Sequence, residues 1–366
     1  MQSQRLTSAH RGAPENPANR FEKIQLEPDA DWNPEGDILP RTQFLVDHSQ
    51  SAITRNKSPD LDFETSLNPY RGCEHGCIYC YARPTHEYLG FSAGLDFESK
   101  IMVKQNAPEL LRRELSSPKW RTQVIVMSGV TDCYQPVEAR LKLTRRCLEV
   151  LAEFRNPVAL ITKNALVTRD IDVLSELAKH HCASVCLSIT TLDNGLRTVM
   201  EPRTSPPAAR LAAIRKLADA GIPVSVNVAP VIPGLTDHEM PNILRAAHEA
   251  GASSAGFTVL RLPYAVAPLF EQWLQTHFPD RKEKVLNRIK ALRGGKLNEA
   301  EWGSRFRGEG IFAEQIARMF EVARRQAGFK EKNDQRELST SAFRRPGGTQ
   351  LPLFGEAEKS GGLFNF

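Results

Sequence analysis

A chain of 366 residues with 41% hydrophobic content can bury a substantial core, and a formal charge of +5 neither requires nor excludes a nucleic-acid partner. No apolar run approaches the length of a membrane span, and the opening MQSQRLTSAHRGAPENPANRFE lacks the apolar centre of a secretory signal, so a cytoplasmic protein with no membrane contact is expected. Seven cysteines, three of them bunched between positions 73 and 80, suit a metal site in a reducing compartment better than a disulfide framework.

Residues 1–60 are rich in Pro, Asn, Asp and Arg with little periodicity and read as a loosely ordered arm. The next segments alternate. Strands are predicted around 66–72 (SLNPYRG) and at 122–129, 157–164, 182–191, 222–232 and 252–263, each apolar and β-rich. Helices are predicted at 108–116, 138–154, 166–181, 207–221 and 240–251, the last two closing on Gly221 and Gly251 as C-caps. Six βα units predict an α/β fold, a partial parallel (β/α)6-type TIM barrel over residues 61–295, with catalytic groups at the C-terminal strand ends. Beyond Pro279 the segments DRKEKVLNRIKALRGGK and FAEQIARMFEVARRQAG predict further helices. Residues 296–330 form a helical extension on this reading, and 331–366 a disordered tail.

The chemistry concentrates in NPYRGCEHGCIYCYARPTHEY (68–88), where Cys73, Cys77 and Cys80 are spaced CxxxCxxC and Gly72 and Gly76 give the loop its conformational freedom. An iron–sulfur cubane usually takes four cysteines, so a compact set of three leaves one iron open to another ligand. Zinc is the alternative and needs a fourth protein ligand, for which His75, His86 or a distant cysteine are the candidates. Cys182 and Cys186 do not make a second pair. On a strand they stand about 13 Å apart and read as core residues.

With Tyr79 just before the third cysteine, the loop resembles the signature of the radical S-adenosylmethionine (SAM) superfamily. The resemblance implies a [4Fe-4S] cluster on Cys73, Cys77 and Cys80, and SAM chelated at the open iron. It also implies an external one-electron donor and reductive cleavage of SAM to a 5′-deoxyadenosyl radical for hydrogen abstraction. It assigns cofactor contacts to Tyr79 and to the end of the second strand, where Ser128, Gly129, Thr131 and Asp132 stand in place of the family's Gly-Gly-Glu and Asp132 matches a cationic amine. The plain alternative is a helix cap at Thr131 or Asp132. Further contacts are Ser188 to ribose or carboxylate, Arg203 as carboxylate clamp and Asn227 to ribose. For Arg203 the alternative is a salt bridge to Glu201 or Asp193, and Lys163 reads equally as a rim cation with no cofactor role.

The combination NPYRGCxHGCxYCYAR, TDCYQPVE and EPRTSPPAARLAAIRKLADAGIPVSVNVAPVIPGLTD, within residues 61–265, resembles bacterial radical proteins grouped with spore photoproduct lyase. This implies lyase-like chemistry on damaged DNA, in which a cysteine returns a hydrogen atom to the product. Cys133 is the candidate for that catalytic role, although it does not fall at the lyase's own position; otherwise it is a buried small residue. In the tail, Gln350–Phe354 (QLPLF) resembles a peptide that binds the DNA sliding clamp. Competing readings are a radical SAM enzyme for RNA, a peptide or a metabolite, and a metal-stabilised binding protein without turnover.

Overall fold

A computed structural model describes residues 11–22, 41–299, 301–330 and 337–346 of the chain. In chain order its strands are β1 (Gln43–Val46), β2 (Ile53–Arg55), β3 (Thr65–Leu67), β4 (Tyr70–Arg71), β5 (Lys100–Val103), β6 (Ile125–Met127), β7 (Val158–Thr162), β8 (Ala183–Ser188), β9 (Val224–Val231) and β10 (Ser254–Val259). The helices are α1 (Leu95–Ser99), α2 (Ala107–Ser116), α3 (Glu138–Leu141), α4 (Leu143–Phe154), α5 (Ile171–Lys179), α6 (Asn194–Met200), α7 (Pro207–Asp219), α8 (Met240–Glu249), α9 (Val266–His277), α10 (Lys282–Ala291) and α11 (Ile311–Gln326).

The main sheet runs β10-β9-β8-β7-β6-β3-β2, parallel throughout except for the antiparallel β2–β3 pair. The six parallel strands make the partial (β/α)6 barrel that the alternation predicts. Its two faces follow from a period of two. On β8, Ala183, Val185 and Leu187 are buried in the core, whereas Ser184 and Cys186 are half-buried. On β9, Val224, Val226 and Val228 are buried while Ser225, Asn227 and Ala229 are partly open. The other face carries Ser188, Asn227, Ala229 and Thr258, which line a cavity. Small and polar side chains there leave the barrel hollow at the ends of its strands, where an apolar set would fill it.

Several boundaries differ from expectation. The first predicted strand divides: β3 belongs to the barrel, while β4 joins β5 and β1 in a separate three-stranded sheet beside the cysteine loop. The predicted helix 138–154 breaks at Lys142, which takes a left-handed φ of 54°. Residues 11–22 lie against the cysteine loop, and residues 41–60, read as loose arm, contribute β1 and β2. Of the tail, residues 337–346 pack on the body: the Phe343 ring lies 6.2 Å from that of Phe154, and the Arg344 N–H donates to the Phe154 carbonyl at 2.8 Å.

An open barrel leaves a seam between its outermost strands, here β10 and β2. The segment 302–307 lies across it. Val259 N–H, at the end of β10, donates to the Phe306 carbonyl at 2.8 Å. On the other side Gly303 N–H donates to Asp60 Oδ1 at 2.7 Å, and Arg305 Nε stands 2.8 Å from Asp60 Oδ2. The buried Arg293 holds this closure from below, donating to the carbonyls of Val259, Leu260 and Arg305. A second apolar cluster joins Ile78 and Tyr79 of the cysteine loop to Met200 of α6 and to Phe270 and Trp273 of α9, so the C-terminal helices support the loop directly.

Candidate active site

The cysteine loop starts where β4 ends and is held by backbone contacts from every side. Cys73 N–H donates to the Phe97 carbonyl at 2.8 Å, and Ile78 N–H to the Met200 carbonyl at 3.1 Å. Both loop glycines are left-handed, Gly72 at φ 78° and Gly76 at φ 68°; a Cβ on Gly76 would stand 2.7 Å from Glu98 Oε2, so no larger residue fits without displacing it. Arg83 is fully buried and donates to the Cys77 carbonyl at 3.0 Å and the Gly76 carbonyl at 3.2 Å, with its charge balanced by Glu98 at 2.5 Å. Glu98 in turn accepts from Gly12 and Ala13 N–H at 2.9 and 2.8 Å, which fastens the N-terminal segment onto the loop.

All three loop cysteines are free and line a cavity of about 410 Å³, together with the C-terminal ends of β6 to β10. Burial pushes the thiols of Cys73, Cys77 and Cys80 up, while the Lys163 ammonium works the other way at Cys77 and Cys80. Three soft donors on one cavity wall, Cys73 and Cys77 buried and Cys80 half-buried, whose thiolates need added positive charge, fit an iron–sulfur cluster. The zinc alternative fares worse. His75 is spent, its Nδ1 3.3 Å from Asp132 Oδ2 and its Nε2 3.2 Å from Asn164 Nδ2. His86 Nε2 donates to the Lys100 carbonyl at 3.0 Å and its Nδ1 has no hydrogen-bond partner among the described residues, but His86 does not line the cavity of the three cysteines. Among the described residues no three His, Cys, Asp or Glu side chains are grouped to hold a single ion.

The residues at the end of β6 sit at the cavity, each held by a defined set of partners. Ser128, Gly129, Thr131 and Asp132 all line the cavity. Ser128 is left-handed at φ 77°, and its Oγ accepts from Cys133 N–H at 2.8 Å. The Gly129 carbonyl accepts from the Tyr81 hydroxyl at 2.7 Å, and Thr131 Oγ1 donates to the Tyr70 carbonyl at 2.7 Å. Both Asp132 oxygens are engaged, Oδ1 by Tyr134 N–H at 2.8 Å and Thr162 Oγ1 at 2.7 Å, and Oδ2 by Lys163 N–H at 2.8 Å and His75. Burial alone would raise this carboxyl, but His75 and these donors hold it below the usual range. Asp132 therefore braces the loop against β7 and has little capacity left for an amine.

Ser188 and Asn227, paired in register on β8 and β9, both face the cavity. Arg203 does not line it. Its guanidinium donates to Glu74 Oε1 at 3.0 Å, a partner in the cysteine loop itself, because Glu201 is already taken. Lys163 occupies the cavity instead, with its Nζ 5.9 Å from the Tyr79 ring centre. Cys133 is fully buried, belongs to the main apolar core and is not part of the cavity wall; burial pushes its thiol well up. Residues Gln350–Phe354 lie outside the described residues.

Sequence reasoning missed the support for Tyr79. Its ring lines the cavity, and its hydroxyl is bonded to Glu201, which also accepts from Thr190 Oγ1 at 2.7 Å and pairs with the buried Arg210. Arg210 extends to the carbonyls of Ser188 and Ser205 at 2.9 and 2.8 Å, so one buried pair ties β8 to the cysteine loop. The EPRT segment carried that signal, since an acid beside a helix bearing an arginine at spacing nine can close on it.

Residues 67–247 match the radical SAM superfamily. An uncharacterized protein of Mycobacterium tuberculosis is 38% identical over 230 residues, 62% of this chain and 68% of that one. The radical SAM Nalpha-GlyT isomerase of Pseudomonas phage M6 is 25% identical over 220 residues, 59% of this chain and 44% of the isomerase. Spore photoproduct lyase complexed with dinucleoside spore photoproduct superposes with a TM-score of 0.54 over 78% of each chain at 17% identity, a likeness of fold. The superfamily implies a [4Fe-4S] cluster and SAM. This chain belongs to the radical SAM superfamily and is a radical SAM enzyme.

Proposed function

We propose that Cys73, Cys77 and Cys80 hold the cluster, that SAM occupies the adjoining cavity, and that the hydrogen abstracted belongs to a base of damaged DNA. The observation that carries this reading is a single cavity lined by the three cysteines at one end and by Lys163, Ser188 and Asn227 at the strand ends. When bound, the cluster supplies the electron that cleaves the carbon–sulfur bond of SAM, whose 5′-deoxyadenosyl fragment then abstracts hydrogen. The chain's own groups hold and orient. Lys163 makes no salt bridge among the described residues, although it acts on Glu201 from a distance, and suits the SAM carboxylate, while Ser188 and Asn227 offer a hydroxyl and an amide to ribose. The walls from β6 to β10 exclude water from the reactive carbon.

The DNA part draws support from the fold shared with spore photoproduct lyase complexed with dinucleoside spore photoproduct. RNA, a peptide or a metabolite is the competing substrate class, and a binding protein without turnover is set aside by family membership. We place the enzyme in a reducing cytoplasm with an external electron donor, in keeping with seven free cysteines; no described helix is long and apolar enough to cross a membrane. The QLPLF segment adds the sliding clamp as a proposed partner. The deciding experiment reconstitutes the protein with iron and sulfide without oxygen, reduces it, and measures 5′-deoxyadenosine, with Cys77→Ala as control. Product from the wild type alone supports the reading, and a loaded, reduced protein that releases none defeats it.

A further inference from the structure

Where the cavity opens, guanidinium groups and aromatic rings alternate. Arg261, on the segment after β10, lines the cavity with its guanidinium carbon 5.0 Å from the Tyr81 ring centre and 5.9 Å from that of Phe306. Arg305 stands 4.5 Å from the Trp302 ring centre and 4.6 Å from that of Phe306. Tyr81 is 45% exposed and Trp302 59%, unusual for rings of this size. The two cations are not equivalent. Arg305 is held by Asp60 and Ser58 as part of the seam closure, whereas among the described residues no carboxylate pairs with Arg261.

We propose that this rim binds an unpaired nucleic-acid strand, with Arg261 holding a backbone phosphate and Trp302 and Tyr81 stacking the bases that flank the one delivered into the cavity. The inference rests on the reading of the cavity as a chamber for hydrogen abstraction. Exposed rings interleaved with cations suit flat ligands that carry negative charge, and strands bind in this way through stacking on aromatic faces and phosphate contacts. An acidic peptide would satisfy Arg261 but leave the rings without a flat partner. The strand must be unpaired at this point, because a base inside a duplex cannot reach a chamber sunk among strand ends. Tyr81 links the two regions, with its hydroxyl on the Gly129 carbonyl of the chamber wall and its ring beneath Arg261 at the rim.

The test measures anisotropy of a labelled ten-nucleotide strand, as DNA and as RNA, and of the matching DNA duplex, across a salt series on the full chain. The wild type should bind a single strand more tightly than the duplex, and the DNA and RNA arms identify which strand it takes. Arg261→Ala should weaken binding about tenfold and flatten the slope of log K against log salt by about 0.7, the loss of one phosphate contact. Trp302→Ala should weaken binding about tenfold with the slope kept, and Trp302→Phe should restore most of it. Should Arg261→Ala not fold, Arg261→Lys keeps the charge and loses the planar stack, so weaker binding at an unchanged slope is expected. Wild-type protein that binds neither strand, an acidic peptide that binds in their place, or variants that bind like the wild type would overturn the proposal. SAM cleavage by the same wild-type preparation is read separately, so a failed radical reading and a failed strand site give different results.

Discussion

Arg210 closes on Glu201 inside the protein, both side chains essentially without solvent contact, and on its other oxygen Glu201 receives the Tyr79 hydroxyl. A buried pair of this kind contributes little over an apolar replacement, but losing one partner strands the other, at a cost of about 3–5 kcal/mol. Arg210→Ala should therefore lower the unfolding midpoint sharply and reduce iron retained by the cysteine loop, because Glu201, the anchor of Tyr79, is left as an uncompensated buried charge. Glu201 is pulled down to about 2 from an ordinary 4.5, against burial, by Arg210, Lys163 and its hydroxyl donors. A depressed carboxyl contributes stability above its unfolded value and loses it as pH falls toward the folded one. The stability gap between wild type and Glu201→Gln should thus be full at neutral pH and narrow as pH drops from 4.5 toward 2. A gap independent of pH would refute the assignment.

Lys163 and Arg203 stand in different places relative to the cavity. Lys163 lines the cavity, whereas Arg203 is spent on Glu74 at 3.0 Å. Removing a charged hydrogen-bond donor from a bound carboxylate costs about 1.5–3 kcal/mol, or roughly 10–100-fold in affinity. Lys163→Ala should weaken SAM binding by that factor while the iron content holds. Arg203→Ala should leave SAM affinity within about threefold and instead loosen the loop, seen as faster loss of iron. Calorimetric SAM titration with iron analysis separates the two, and a larger affinity loss at Arg203 would reverse the assignment.

The barrel could be read from the sequence because β-rich apolar segments and helical periodicity alternate six times, and each predicted barrel strand overlaps an observed one. The three cavity cysteines were legible because three thiols within one loop are a local pattern. Helix α9 was not predicted, although Val266, Leu269, Phe270, Trp273 and Leu274 repeat at helical spacing and are buried. The partners of Arg203, Asp132 and Tyr79 were not legible. Each is set by which loop crosses which strand end, and Arg203 meets a glutamate 129 residues away. The rim is likewise tertiary: Arg261 meets Tyr81 from a distant part of the chain, and the segment 302–307 brings Phe306 beside Arg261 where it covers the barrel seam.

The sliding-clamp proposal rests on Leu351, Leu353 and Phe354 entering an apolar pocket while Gln350 makes polar contacts. Residues 337–346 pack against α4 through Phe343 and Arg344, so the motif follows a docked stretch of chain. A peptide spanning 345–358 should bind a bacterial clamp with micromolar affinity, and Leu353→Ala with Phe354→Ala should abolish it, as apolar anchors carry most of such an interface. Equal clamp binding by the doubly substituted full chain would remove the clamp from the list of partners. SAM cleavage should be the same in both chains.

Cys133 tests whether burial or sequence position decides a cysteine's role. It is fully buried, its carbonyl accepts from Thr144 Oγ1 at 2.6 Å, and its thiol is pushed well above the ordinary range by desolvation and by Asp132. A thiol that returns a hydrogen atom to a substrate radical must touch that radical, and this one is not in the cavity wall. Cys133→Ala should cost about 1–2 kcal/mol of stability through a small void. SAM cleavage and the product distribution should stay as in the wild type. A variant that cleaves SAM normally yet diverts the substrate radical to other products would show that Cys133 reaches the chamber during turnover, and would return it to the catalytic role its sequence position suggested.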